Sequence, residues 1–227
     1  MTISTNLTHS YNRIRTAAEK AGRDPATVRL VAVSKTCPAA DIIEAFQAGQ
    51  TIFGENYIQE LVPKLAVVTE PVEWHVIGHL QSNKVKYIAG QVVLIHSVDR
   101  LSLATEIDLQ WGKLGKTCDI LVQVNISGEA TKSGTTEEGA IQLVRECALL
   151  PNIRVRGLMT MPPFFDDPEA ARPFFAELRC LSKTIAALTI AGVEMVELSM
   201  GMSGDFEAAI EEGATLVRIG TAIFGNR

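Results

Sequence analysis

The chain is poor in the features that draw a protein to polyanions or lipids. No run of Lys or Arg exceeds two, and 26 acidic residues outnumber 21 basic ones, for a net charge of −5. That balance excludes a basic nucleic-acid-binding face. No apolar stretch approaches the ~20 residues a spanning helix needs, and the opening "MTISTNLTHSYNRIRTAAEKAG" has no apolar core of a signal peptide. Cys37, Cys118, Cys147 and Cys180 lie far apart with no C-x-x-C spacing, so they read as reduced packing thiols. Cytoplasmic location is the expectation, with neither nucleic acid nor membrane as partner. No Pro/Ser-rich linker divides the 227 residues, which leads us to expect one domain over 1–227.

What is present is alternation. Strand-like runs fall at 29–34, 51–54, 73–77, 92–96, 119–125, 153–158, 194–198 and 215–219. Amphipathic segments separate them at 39–48, 56–68, 81–88, 99–112, 136–149, 168–190 and 203–212. Strictly alternating strands and helices imply βαβ units and a parallel sheet. An open doubly wound sheet and a closed barrel both satisfy that pattern, and a count of eight strands favours an α/β fold of the (β/α)8 TIM type. Too little chain follows the last strand for a full eighth helix. The segment 5–21, with helical spacing at Leu7, Tyr11, Ile14 and Ala18, is expected to cover that position, so that 1–27 packs on the barrel.

Barrel chemistry sits at the carboxyl ends of the strands. Those ends carry Lys35, "GEN" (54–56), "GHLQSNK" (78–84), "HSVD" (96–99), "NISGEATKSG" (125–134), "MTMPP" (159–163), "LSMGMSGD" (198–205) and "RIGTAIFG" (218–225). In the first strand Val31, Val33 and Lys35 share a face. In the last, Leu216, Arg218 and Gly220 do, and closure makes these strands neighbours. Arg218 lies in an otherwise apolar run, and a buried guanidinium needs partners. Ser199, Gly201, Ser203, Gly220 and Thr221 bring small residues, hydroxyls and N–H groups to the ends of strands seven and eight, where such barrels hold phosphate. Ser203 suits a helix N-cap, and Gly220-Thr221 the opening of a short helical turn.

A lysine, a cation and a phosphate seat suit a Schiff base with a phosphorylated aldehyde. An amine must be neutral to attack a carbonyl, and a neighbouring cation favours the neutral form. A Schiff-base aldolase acting on a sugar phosphate satisfies the same set. Other signals weigh less. His75 and His79 are four apart but lie in a β-rich stretch with a glycine, so a zinc helix is not expected; His75 and Trp74 read as packing. Ser97 is expected to line the site and Asp99 to cap the helix after it. Lys84 and Lys132 sit in strand-end loops, and "FFDDPEAARPFF" (164–175) leads into a helix with Pro173 in its first turns.

Long stretches carry a family resemblance: "VAVSKT", "FGENYIQE", "WHVIGHLQSNK", "HSVD", "VNISGEATKSG", "RGLMTM" and "LSMGMSGDFEAAIEEGATLVRIGTAIFG". From about residue 28 onward the chain resembles the pyridoxal-phosphate homeostasis protein family, whose barrel is similar to the alanine racemase N-terminal domain (fold type III). The resemblance implies that pyridoxal 5′-phosphate (PLP) is bound as an aldimine on Lys35. It implies that Ser199, Met200, Gly220 and Thr221 hold the phosphate, that Arg218 faces the pyridine nitrogen, and that Asn56, His79 and Met159 surround the ring, with Gly201 also among the cofactor-binding residues. No catalytic residue is expected. The chain ends seven residues after Gly220, leaving no room for the second domain that supplies a racemase's opposing acid–base group. The implied role is a monomeric carrier that makes PLP available to apo-enzymes and affects amino-acid and keto-acid balance. An amino-acid racemase completed by a partner chain is the alternative.

Overall fold

The protein is described here by a computed structural model covering residues 2–129 and 132–225. Eight parallel strands close into a barrel in sequence order: β1 (Arg29–Val33), β2 (Ile52–Glu55), β3 (Glu73–Val76), β4 (Leu94–Val98), β5 (Cys118–Gln123), β6 (Ile153–Met159), β7 (Val193–Met202) and β8 (Leu216–Ile219). Closure is made by β1 against β8, with Val31 opposite Arg218. The connecting α-helices are α1 (Ile3–Lys20), α2 (Ala39–Gln47), α3 (Ile58–Val67), α4 (Leu101–Gly112), α5 (Glu137–Cys147), α6 (Arg172–Ala187), α7 (Phe206–Glu211) and the single turn α8 (Thr221–Phe224).

Period-two alternation sorts the strand side chains into two cores. Val31, Val33, Ile52, Ile77, Leu94, Leu121, Met159 and Leu216 fill the barrel interior. The alternate residues, among them Leu30, Phe53, Trp74, Ile95 and Val217, pack outward against the helices. The first helix covers the place of a full-length eighth one. It packs on α7, α8 and α2, burying Leu7, Ser10, Ile14, Ala17 and Ala18. Tyr11 lies at the edge of that stripe and donates its hydroxyl to Gln50 Oε1 at 2.6 Å. Asn6 Nδ2 donates to the Ile223 carbonyl at 2.8 Å, and Arg13 and Lys20 pair with Glu207 and Glu211 of α7.

The structure redraws several local expectations. Between β3 and β4 the connection is a 3-10 helix, Ser82–Tyr87, rather than an α-helix. The seventh strand continues through "SMGM" to Met202, so Ser199, Met200 and Gly201 belong to the sheet. Gly201 makes this continuation possible: its φ is +89°, and a Cβ there would lie 2.6 Å from Ala209 Cβ and 2.9 Å from Phe206 Cα. The β7–β8 register shifts between Ser199 and Met202 as a result. Asp205, not Ser203, occupies the N-cap of α7. The N-cap of α4 is Arg100 with no side-chain cap, and Asp99 instead pairs with Arg100 at 2.6 Å. Cys37, Cys118 and Cys147 are buried and Cys180 is exposed. Among the described residues no helix is long and apolar enough to cross a membrane.

Candidate binding site at the carboxyl ends of the strands

A cavity of about 630 Å³ opens at the carboxyl end of the barrel. Its polar wall is made by Lys35, Asn56, Ser203, Asp205, Arg218 and Thr221, and its apolar wall includes Ile77, Met161, Phe164 and Phe165. Lys35 reaches it because parity continues past the end of β1: Val31 and Val33 point inward, and Lys35 is next on that face. Arg218 arrives from β8, buried and lining the same cavity. The two residues thus come to one cavity from the closing strands.

The turn that carries Lys35 is clamped from outside the barrel. Ser34 points away from the interior, and its hydroxyl donates to Glu55 Oε1 at 2.6 Å. Lys64, from α3, donates to the same carboxylate oxygen at 2.7 Å and to the Ser34 carbonyl at 2.8 Å. Burial pushes the Glu55 carboxyl above the usual range, against the opposing pull of Lys64 and Ser34. Thr36 follows with φ of 61°, in the left-handed region a β-branched residue rarely adopts. Its N–H donates to Glu60 Oε2 at 2.7 Å. Sequence reading misses this clamp because its members are separated by up to 30 residues and meet only through α3 packing on β2.

Opposite Lys35, the "GEN" turn supplies Asn56, whose Oδ1 is buried without a hydrogen-bond partner among the described residues. Gly78 lets the Asn56 backbone come this close, since a Cβ at 78 would lie 2.5 Å from the Asn56 carbonyl oxygen. At the β8 end, Gly220 N–H donates to Ser203 Oγ at 3.3 Å, tying the two small-residue turns together. Asp205 accepts the Met202 N–H at 2.6 Å. Burial raises its pKa, while the charge of Arg218 works in the other direction.

Other predicted site residues lie elsewhere. Met159 belongs to the inner apolar cluster, and the Met200 side chain packs in the outer core. Neither side chain lines the cavity. His79 is exposed, 3.9 Å from Asp99, and lines an adjoining cleft with Asn56, Gln81 and Lys84. Ser97 does not line the cavity as expected: its hydroxyl is buried and has no hydrogen-bond partner among the described residues. Ala130 and Thr131 of the "NISGEATKSG" stretch are outside the described residues. The Ser199 hydroxyl is fully buried in the interior, where it accepts from Arg218 Nη1 at 2.5 Å and meets His96 Nδ1 at 2.8 Å. His96 Nε2 is in turn 2.9 Å from His75 Nδ1. His75 thus packs in the interior as a polar link rather than as inert filling. Arg218 Nη2 donates to the Thr160 carbonyl at 2.9 Å. Burial, tempered by Asp205, brings the Arg218 pKa down to about 10, which still leaves it protonated at neutral pH.

Burial lowers the His75 pKa to about 3, with Arg29 contributing, and holds His96 well below its ordinary value, with His75, Arg218 and Arg29 contributing. Both imidazoles are neutral in the fold. Their contribution to stability is complete above the unfolded value of about 6.5 and is lost as pH falls, because only the unfolded chain takes up the protons. Chemical denaturation between pH 6.5 and pH 3 should therefore show stability falling by about 1.4 kcal/mol per pH unit for each histidine, beyond the carboxylate contribution. Replacing His75 with Asn should flatten the slope by one proton's worth; an unchanged slope would contradict the neutral assignment.

Comparison with known proteins places this architecture. Residues 5–227 match the family model of the alanine racemase N-terminal domain. A pyridoxal phosphate homeostasis protein of Aquifex aeolicus is 46% identical over 222 residues, covering 97% of this chain and 96% of the relative. One from Pseudomonas aeruginosa is 48% identical over 227 residues, covering 100% and 96%. The solved structure of PipY from Synechococcus elongatus, described with PLP bound, superposes with a TM-score of 0.84 at 34% identity, covering 98% of this chain and 100% of that one. An alanine racemase from Clostridium difficile shares the fold at a TM-score of 0.76 and 16% identity, covering 98% of this chain and 57% of its own. By motif, by fold and by near-full-length identity, the chain belongs to the pyridoxal phosphate homeostasis protein family, built on the alanine racemase N-terminal domain.

Proposed function

We propose that the strand-end cavity holds PLP and that the chain acts as a carrier and buffer of it, without turnover of its own. The observation that carries this reading is that one amine, Lys35, and one buried guanidinium, Arg218, line a single cavity with the small-residue turns at 203–204 and 220–221. When bound, PLP supplies an aldehyde that an amine can hold covalently and a ring that draws electrons from it. The wall fits that group. Lys35 would attach it through Nζ, and Ser203 and Thr221 would hold the phosphate with their hydroxyls and with the backbone N–H groups that open the turn after Gly220. Asn56 Oδ1, buried and unpartnered among the described residues, has unused accepting capacity beside it. Met161, Phe164 and Phe165 give one side of the cavity an apolar lining. The relatives' names and the PLP-bound neighbour support the same reading.

Arg218 disfavours turnover. A guanidinium donates hydrogen bonds and cannot give up its proton at neutral pH, so a ring nitrogen facing it stays unprotonated and the ring is a weak electron sink. Asp205 has one oxygen committed to the Met202 N–H. The functional unit proposed is the whole chain, 1–227, as one domain with 1–27 packed on the barrel. It would be a monomer in the cytoplasm, with PLP-dependent apo-enzymes as recipients and amino-acid and keto-acid balance as the affected process.

The test is to load the protein with PLP and incubate it with single enantiomers of several amino acids, then separately with an apo-enzyme. The reading predicts no accumulation of the opposite enantiomer at multiple turnovers, and reactivation of the apo-enzyme by protein-bound cofactor. Sustained racemisation would overturn the carrier assignment.

A further inference from the structure

The interior holds two buried histidines that the proposed contacts with PLP do not use. Their hydrogen bonds form a chain: His75 Nδ1 to His96 Nε2 at 2.9 Å, His96 Nδ1 to Ser199 Oγ at 2.8 Å, and Ser199 Oγ to Arg218 Nη1 at 2.5 Å. The chain has a direction that chemistry can assign. Arg218 can only donate, so Ser199 Oγ accepts from it. The hydroxyl's own hydrogen must then find an acceptor in a site with no solvent, or leave a buried donor unpaired. His96 Nδ1 is the acceptor at hand. Neutral His96 therefore carries its proton on Nε2 and donates to His75 Nδ1, which leaves the His75 proton on Nε2. The opposite direction would give Ser199 two incoming donors and strand its hydrogen.

This arrangement bears on Arg218. Buried guanidinium groups are ordinarily neutralised by a carboxylate, but the hydrogen-bond partners of Arg218 are a hydroxyl and a carbonyl, Ser199 Oγ and Thr160 O. These neutral acceptors fix its orientation, while the Asp205 carboxylate acts on it by charge and accepts its own hydrogen bond from the Met202 N–H. We propose that His96, backed by His75, is a positioning residue for Arg218, acting through Ser199 to hold the guanidinium toward the cavity. This rests on the reading that the cavity binds PLP with its ring nitrogen toward Arg218. It also assigns the Ser199 hydroxyl to the interior chain, so that its side chain takes no part in holding phosphate.

Two measurements separate this inference from the reading beneath it. In the protein without cofactor, ¹⁵N NMR of the histidine side chains should show His96 protonated on Nε2 and bare on Nδ1; protonation on Nδ1 would overturn the relay whatever the cavity binds. In the PLP-loaded protein, His96→Leu removes the acceptor, whereas His96→Asn returns an amide oxygen near the Nδ1 position. His96→Leu should shift the absorbance maximum of bound PLP and speed its dissociation by up to about tenfold, the upper end for one neutral hydrogen bond. His96→Asn should restore both toward wild type. Ser199→Ala, a smaller change at the middle link, should reproduce the shift even if His96→Leu fails to fold. Wild-type uptake of PLP with an unmoved spectrum and dissociation rate in both His96→Leu and Ser199→Ala would overturn the proposal. Failure of the wild type to bind PLP would overturn the reading of the cavity, and the NMR result would still decide the relay.

Discussion

Lys35→Ala is expected to abolish the yellow absorbance of PLP-loaded protein while leaving the fold in place. The side chain is exposed to the cavity rather than packed in either core, and exposed substitutions usually change stability by less than about 0.5 kcal/mol. The thermal midpoint of the cofactor-free variant should thus stay within about 2 °C of wild type. The cavity's other groups are untouched, so weak non-covalent uptake should persist and be readable as quenching of added PLP fluorescence. A full absorbance spectrum in the variant, carried by Lys84 or Lys132, would show that strand parity selects the wrong lysine.

The second large effect is expected outside the cavity, at the Glu55–Lys64 pair. Lys64→Met removes the charged partner of a fully buried carboxylate whose other oxygen has no partner among the described residues. Breaking a buried pair from one side costs about 3–5 kcal/mol. The loss should be largest at neutral pH and shrink as pH falls. The raised folded-state pKa of Glu55 means that the fold, not the unfolded chain, takes up the proton between the unfolded and folded values. Replacing both residues, Glu55→Leu with Lys64→Met, removes the buried charge altogether and should recover most of the stability. It should not recover cofactor retention, because the Ser34 carbonyl and hydroxyl lose the contacts that hold the turn carrying Lys35. A double variant that is both stable and fully retentive would show that the pair has no positioning role.

Much of this architecture is legible in the sequence because period-two alternation and strand ends are local signals. The eight strands, the inward face of Val31, Val33 and Lys35, and its closure beside Leu216 and Arg218 follow from counting alone. The unread features depend on contacts distant in sequence. "SMGMSG" has loop composition, yet β7 runs through it because Gly201 takes a left-handed φ against Phe206 and Ala209. His75 and His96 look unrelated until β3 and β4 pair with His75 opposite Leu94, which brings His96 onto the same inner face. Lys64 sits in an amphipathic helix where a lysine ordinarily means solvent, and nothing local announces that Glu55 waits beneath it. Phe164 and Phe165 belong to a segment whose composition suits any surface loop, and only the fold sets them over the cavity.

The proposed function stands or falls on PLP being held at Lys35 in the strand-end cavity. Borohydride reduction of the PLP-loaded protein, followed by proteolysis and mass mapping, tests that attachment. One pyridoxyl group per chain is expected, on the peptide containing Lys35. A modification spread over surface lysines, or found on Lys84 or Lys132 with Lys35 unmodified, would contradict it.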